Sequence, residues 1–195
     1  MNKKFNLRIG ILIALIFAAA MSRLLPHPYN FTPIGAMGLF GAAYFSKRWL
    51  AFAVPFAAMW MSDLILDNVI YAQYYEGFQW FGHTWVYLSF ALIVLLGFAL
   101  LRKVKISNLI VASLSASVIF YLITNFGVWL SSPMYPQNFI GLMTCYAAGL
   151  PFMSMELAPP LGFFLNGVMG DLFYTGALFG VYELAKSRIP ALQTA

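Results

Sequence analysis

The stretch HPYNFTPIGA, His27 to Ala36, decides the fold, because its prolines interrupt the apolar sequence between two helical segments. Thr32 followed by Pro33 reads as a helix start, with Thr as the cap and Pro at the first helical position, where its missing N–H costs nothing. A helix beginning at Pro33 runs to about Phe45, which is thirteen residues, or roughly 20 Å at 1.5 Å per residue. The hydrocarbon core of a bilayer is about 30 Å deep. The remaining depth falls to Pro26–Phe31, which the prolines and the residues before them hold extended. Non-helical backbone at membrane depth is tolerated only where it is buried in protein or lines a watered cavity. The stretch therefore predicts a cavity open to the outside. The competing reading is an ordinary outer turn beside a tilted short helix in a locally thinned bilayer.

Composition places the stretch in lipid. The 195 residues are 62% hydrophobic, 18% aromatic and 9% charged, with a mean hydropathy of +0.81. A soluble domain carries about 25% charged residues, so the chain reads as one integral membrane domain over residues 1–195. Apolar runs predict helices near 7–25, 49–66, 85–101, 107–130 and 160–184, besides the short one that opens at Pro33. The first run has a basic front like a signal peptide, yet it outlasts an h-region and ends in Arg23 with no small-residue cleavage site, so it reads as a retained helix. Ten of the eleven Lys and Arg residues fall at the N-terminus, in alternate loops and near the C-terminus. The positive-inside rule then puts both termini in the cytoplasm, provided the short segment crosses. The expectation is an all-α, six-helix polytopic bundle with a short second helix, in the cell (inner) membrane. So placed, the net charge of +5 carries no nucleic-acid signal.

Residues 67–84 and 131–159 are long, aromatic outer loops almost without basic residues, and they read either as an interfacial belt or as a lid. In the first helix Gly10, Ala14, Ala18 and Ser22 recur every four residues, a small-residue ridge suited to close helix packing within the chain or against a separate subunit. A carboxylate inside an apolar segment is costly unless it faces a cavity or a partner, so Asp171 should point inward. Asp63 either pairs with Arg23 at the outer mouth or binds a ligand; Glu156 reads equally as a solvated charge. Asn125 lies within an apolar helix as interhelical glue or pocket lining. Asn30, Thr32, Trp60, His83, Trp85 and Trp129 gather toward the same side. Together with Asp63, Asn125 and Asp171 they form the candidate substrate-binding set: aromatics stack a ring-bearing ligand, while amides and carboxylates orient it.

Other chemistries lack their residues. Cys145 is the single cysteine, which excludes an intramolecular disulfide and thiol clusters, and His27 and His83 are too few for a histidine metal site. The chain has no Walker-type phosphate loop, no G-x-S-x-G and no H-E-x-x-H, so neither catalysis nor a cofactor is expected. No filter-like run or charge ring points to a channel.

The order LFGAAYFSKRWLAFAVPFAAMWMSDLILD, FGHTWVYLSFALIVLLGFALLRKVK and NLIVASLSASVIFYLITNFGVWLSS resembles the substrate-binding S components of energy-coupling-factor (ECF) vitamin transporters. With RLLPHPYNFTPIGAMGLFGAAYF, Arg23 to Phe45, it is similar in particular to an S-component-like family of bacterial transport proteins. The resemblance implies six helices with cytoplasmic termini and capture of a vitamin or related micronutrient from outside. Release inside would follow toppling of the subunit, driven by a coupling membrane subunit and paired ATPases. The family's alanine-x-x-x-alanine coupling motif falls on Ala14 and Ala18. A solitary carrier working without ATPases and a structural membrane subunit without a ligand are the alternatives.

Overall fold

The computed structural model describes residues 3–82, 84–150 and 162–193. All regular structure among them is helical: α1 (Lys3–Ser22), α2 (Ile34–Tyr44), α3 (Arg48–Ile65), α4 (Thr84–Leu100), α5 (Ile106–Ser131), α6 (Phe139–Gly149), α7 (Phe163–Arg188) and the single turn α8 (Pro190–Gln193). A π-helical turn, Leu66–Ile70, continues α3, and a 3-10 turn follows at Ala72–Tyr74.

The short helix is the axis of the bundle. Alanine, glycine and large apolar residues surround α2 on every side, the pattern of a helix buried all round, and it packs against α1, α3, α4, α5 and α7. Two glycines set the closest approaches. A Cβ on Gly41 would sit 3.0 Å from the Ala51 carbonyl oxygen of α3, and one on Gly97 of α4 would sit 2.6 Å from Ala42 Cβ. Phe40 meets Phe179 and Tyr182 of α7 edge-on, with centroids 5.3 and 5.7 Å apart, the preferred aromatic geometry.

Polar contacts fix the direction of each helix. At one end Arg8 donates to the Tyr44 carbonyl (2.9 Å), Tyr44 donates to Glu183 (2.7 Å), and the Arg48 guanidinium lies 5.5 Å from the Phe98 ring centre. We call this the basic end. At the other, aromatic end, Arg23 meets the last turn of α3 and Tyr87 the same turn from α4. The elements α1, α2, α3, α4, α5 and α7 therefore alternate in direction.

The bundle's surface is apolar. Ile106, Ile110, Leu114, Val118 and Leu122 of α5, each four residues after the last, are all at least 42% exposed, a patch that water tolerates poorly. Arg48–Ile70 and Ile106–Ser131 are long and apolar enough by themselves to cross a membrane.

Several local expectations change. The first helix stops at Ser22, after which Arg23, Leu24 and Leu25 close i→i−3 turns onto Ala20, Met21 and Ser22. Pro26–Phe31 is not extended throughout: Phe31 N–H donates to the Pro28 carbonyl (3.0 Å), closing a turn with Asn30 at φ 63°, a left-handed conformation that Asn tolerates. Within the aromatic stretch 131–159, expected as a loop, lies α6, whose N-cap Asn138 accepts from Gly141 N–H at 2.9 Å.

Candidate functional site

A cavity of about 570 Å³ opens at the aromatic end, walled by the Arg23–Thr32 segment, the end of α3 with its π turn, Tyr71, Tyr75, and one residue each from α2, α4, α5 and α7. The proline-rich stretch lines it because α7 offers a surface without side chains. A Cβ on Gly167 would lie 2.7 Å from Asn30 Nδ2, and one on Gly170 would lie 2.9 Å from Thr32 N. Asn30 then donates to the Phe163 carbonyl at 2.9 Å. The segment's backbone is thus held against α7 by close packing and a hydrogen bond.

The cavity's charged wall is an ordered cluster. Arg23 Nη1 lies 2.7 Å from Asp63 Oδ1, with the two side chains 10% and 8% exposed, and the same nitrogen donates to Ser62 Oγ at 2.6 Å. Tyr87 donates to the other Asp63 oxygen at 2.7 Å. Asp63 is therefore paired with Arg23 and still lines the cavity. Asp67, one turn on, is buried in the π turn and lines the same wall; such turns recur at functional sites. Burial pushes the Tyr75 phenol up, and the Asp67 and Asp63 carboxylates add to it. His27 sets Nδ1 2.9 Å from the Pro28 carbonyl and Nε2 3.2 Å from the Arg23 carbonyl.

A second cavity of about 280 Å³ lies between α5, α6 and α7 and shares Asn30, Val86, Phe120 and Phe163 with the first. Asn125 lines it while donating back to the Tyr121 carbonyl (2.9 Å), and Cys145 Sγ lies 3.3 Å from the Asn125 carbonyl. Asn30 and Thr32 also line a crevice of about 10 Å³, no larger than one water needs. Asp171 closes that crevice. One of its oxygens accepts from Ser117 Oγ at 2.6 Å, and the backbone N–H groups of Gly35 and Ala36 donate to the carboxylate.

That arrangement corrects the cap of α2. Thr32 makes no cap: Pro33 occupies the N-cap position without a side-chain hydrogen bond, and Asp171 satisfies the first-turn N–H groups from across the bundle. A carboxylate there is favoured by the helix dipole.

The tryptophans brace the loops. Trp60 donates to the Trp80 carbonyl (3.0 Å), Trp129 to the Pro136 carbonyl (2.9 Å), and Trp85 to Ser131 Oγ (3.3 Å); none of the three lines a cavity described here. Asn68 folds the loop between α3 and α4 back by exchanging hydrogen bonds with Gln79, at 2.9 and 2.7 Å. His83 and Glu156 lie outside the described residues. Of the sequence-derived set, Asn30, Thr32 and Asp63 meet in the large cavity, Asn125 in its neighbour and Asp171 beneath both. Arg23, Asp67, Tyr71 and Tyr75 complete the wall. Arg23 was legible as the possible partner of Asp63, and Asp67 because a residue four after Asp63 lies on the same helix face; Tyr71 and Tyr75 carried no such signal.

On the ridge of α1, Gly10, Ala14 and Ala18 are exposed and a Cβ on Gly10 would meet nothing within 4 Å. Ser22 instead turns inward, its hydroxyl 2.8 Å from that of Tyr174. Among the described residues no group of three or more His, Cys, Asp or Glu is placed to hold a metal ion.

Residues 3–192 match the model of a family described as "Family of unknown function (DUF6580)", and the chain belongs to that family. No curated protein matches. No solved structure matches either.

Proposed function

We propose that the chain, as a member of that family, is the substrate-binding membrane subunit of an uptake system, like an ECF S component, and captures a vitamin or related micronutrient. The cavity at the aromatic end carries this reading. Its volume of about 570 Å³ falls within the range of small-molecule sites, roughly 300–1,000 Å³. Tyrosines and aliphatic groups form most of its wall, with the charged groups confined to one side. Asp63, Asp67 and Arg23 supply the polar groups that would orient a ring-bearing ligand among the aromatic and aliphatic side chains.

In this reading the six alternating elements cross the inner membrane, with the basic end and both termini in the cytoplasm and the cavity facing out. The exposed Gly10, Ala14 and Ala18 face of α1 meets a coupling membrane subunit that works with ATPases. It is open along the membrane-facing side and is not used for packing among the described residues.

Native mass spectrometry of the gently purified protein tests the cavity. A co-purifying small molecule lost in Asp67→Asn or Asn30→Leu supports the reading, while a protein that is always empty sinks it. Separately, Ala14→Trp with Ala18→Trp should abolish co-purification with a coupling subunit and leave ligand retention intact. Uptake that persists in cells without any coupling ATPase would move the function to a solitary carrier.

A further inference from the structure

A groove of about 720 Å³ runs along the opposite half of the bundle, between the first turns of α5 and the last four turns of α7. Its α7 wall is one helical stripe from Leu172 to Lys186, about 21 Å at 1.5 Å per residue. One leaflet of hydrocarbon is about 15 Å deep. The stripe is therefore longer than one leaflet's hydrocarbon, enough to take a chain that reaches from the interface to the bilayer middle.

Two features show that the groove is open by composition. Gly176 and Gly180 floor it, and a Cβ on either would meet nothing within 4 Å. Glycine weakens a helix relative to alanine, and no close approach among the described residues calls for it at these positions. The groove's mouth is basic. Lys105 and Lys186 both line it. The one carboxylate there, Glu183, is already engaged by the Tyr44 hydroxyl at 2.7 Å and by Lys186 at 3.6 Å. Among the described residues Lys105 has no acidic partner.

We propose that this groove holds an anionic phospholipid, its phosphate between Lys105 and Lys186 and one acyl chain along the glycine floor of α7. This rests on the reading that the basic end lies at the cytoplasmic face, where anionic headgroups attract Lys and Arg. A partner helix would fill an apolar groove equally well; charge complementarity between Lys105, Lys186 and an anionic headgroup favours the phospholipid.

The test is native mass spectrometry of the full chain in mild detergent with phosphatidylglycerol or phosphatidylcholine of identical acyl chains. Phosphatidylglycerol should be retained preferentially, and Lys105→Gln with Lys186→Gln should cut that preference by about fivefold per lysine. Lys103→Gln, outside the groove, should leave it unchanged. Gly176→Leu with Gly180→Leu, which fills the floor, should reduce retention of both lipids. Equal retention of the two lipids by the unmodified chain would overturn the proposal, as would full preference in the lysine double variant. A dimer dissolved by the glycine changes would assign the groove to a second copy and also overturn it. Release of the chain from membranes by alkaline carbonate would instead overturn the membrane reading, so the two failures are distinguishable.

Discussion

Asp171 has three donors around it and almost no solvent, which makes it a cap before it is anything else. Replacing it with Ala strands the Gly35 and Ala36 N–H groups, while the Ser117 hydroxyl still has the Ser113 carbonyl at 3.2 Å; unsatisfied buried donors of this kind cost about 1–3 kcal/mol. Asp171→Ala should therefore lower the unfolding midpoint in detergent. Asp171→Asn, which keeps one acceptor and the shape, should lower it less. A ligand-binding role predicts the opposite order of effects for Asn, with retention lost and stability kept. The Arg23–Asp63 pair makes a second residue-scale prediction. Removing one partner of a buried pair costs about 3–5 kcal/mol, whereas removing both often restores much of that. Arg23→Met should be the more damaging single change, and Arg23→Met with Asp63→Leu should recover part of the loss; a strictly additive cycle would show that the pair is not coupled.

At the scale of elements, the apolar runs made five long helices and the short second one legible, because each is an apolar stretch with at most two charged residues. The 11-residue α6 was not, since its apolar residues sit among the Pro, Ser and Asn of a loop and fall short of a span. The cap of α2 was hidden for a different reason. Thr32 followed by Pro33 is a sound local signal, but the Gly35 and Ala36 donors are met by Asp171 of α7, far along the chain, and no local pattern contains that information. Indole direction was equally unreadable: Trp60, Trp85 and Trp129 have the right composition for a binding wall and spend their N–H groups on loops and a neighbouring helix. The glycines of NGVMGD, residues 166–171, are the feature that ties these elements together. A Cβ on Gly170 would lie 3.1 Å from Phe31 Cα as well as 2.9 Å from Thr32 N, both backbone atoms that cannot rotate away. Gly170→Ala should push the Asn30 turn off α7, costing about 1–3 kcal/mol as overpacking does. Ligand retention should fall with it. Gly180→Ala, in open space, should be neutral to stabilising in the same melts.

For the whole molecule, the decisive question is how many elements cross the membrane. Two helices qualify on length and hydropathy alone, Arg48–Ile70 and Ile106–Ser131. The alternating directions and the segregation of Lys and Arg argue for six crossings, because each basic loop then falls on one side. The two possibilities separate cleanly at Tyr74 and Lys103. Both residues lie between the two qualifying helices, so a chain crossing only twice places them on the same side. Six crossings place them on opposite sides, since α4 runs between them. In a background of Cys145→Ser, which removes a buried thiol, Tyr74→Cys should react with a membrane-impermeant maleimide on intact cells, Tyr74 being 73% exposed. Lys103→Cys, also exposed, should react only after permeabilisation. Matching accessibility at the two positions would mean that α4 does not cross, and the cavity at the aromatic end would then lose the orientation that lets it capture a substrate from outside.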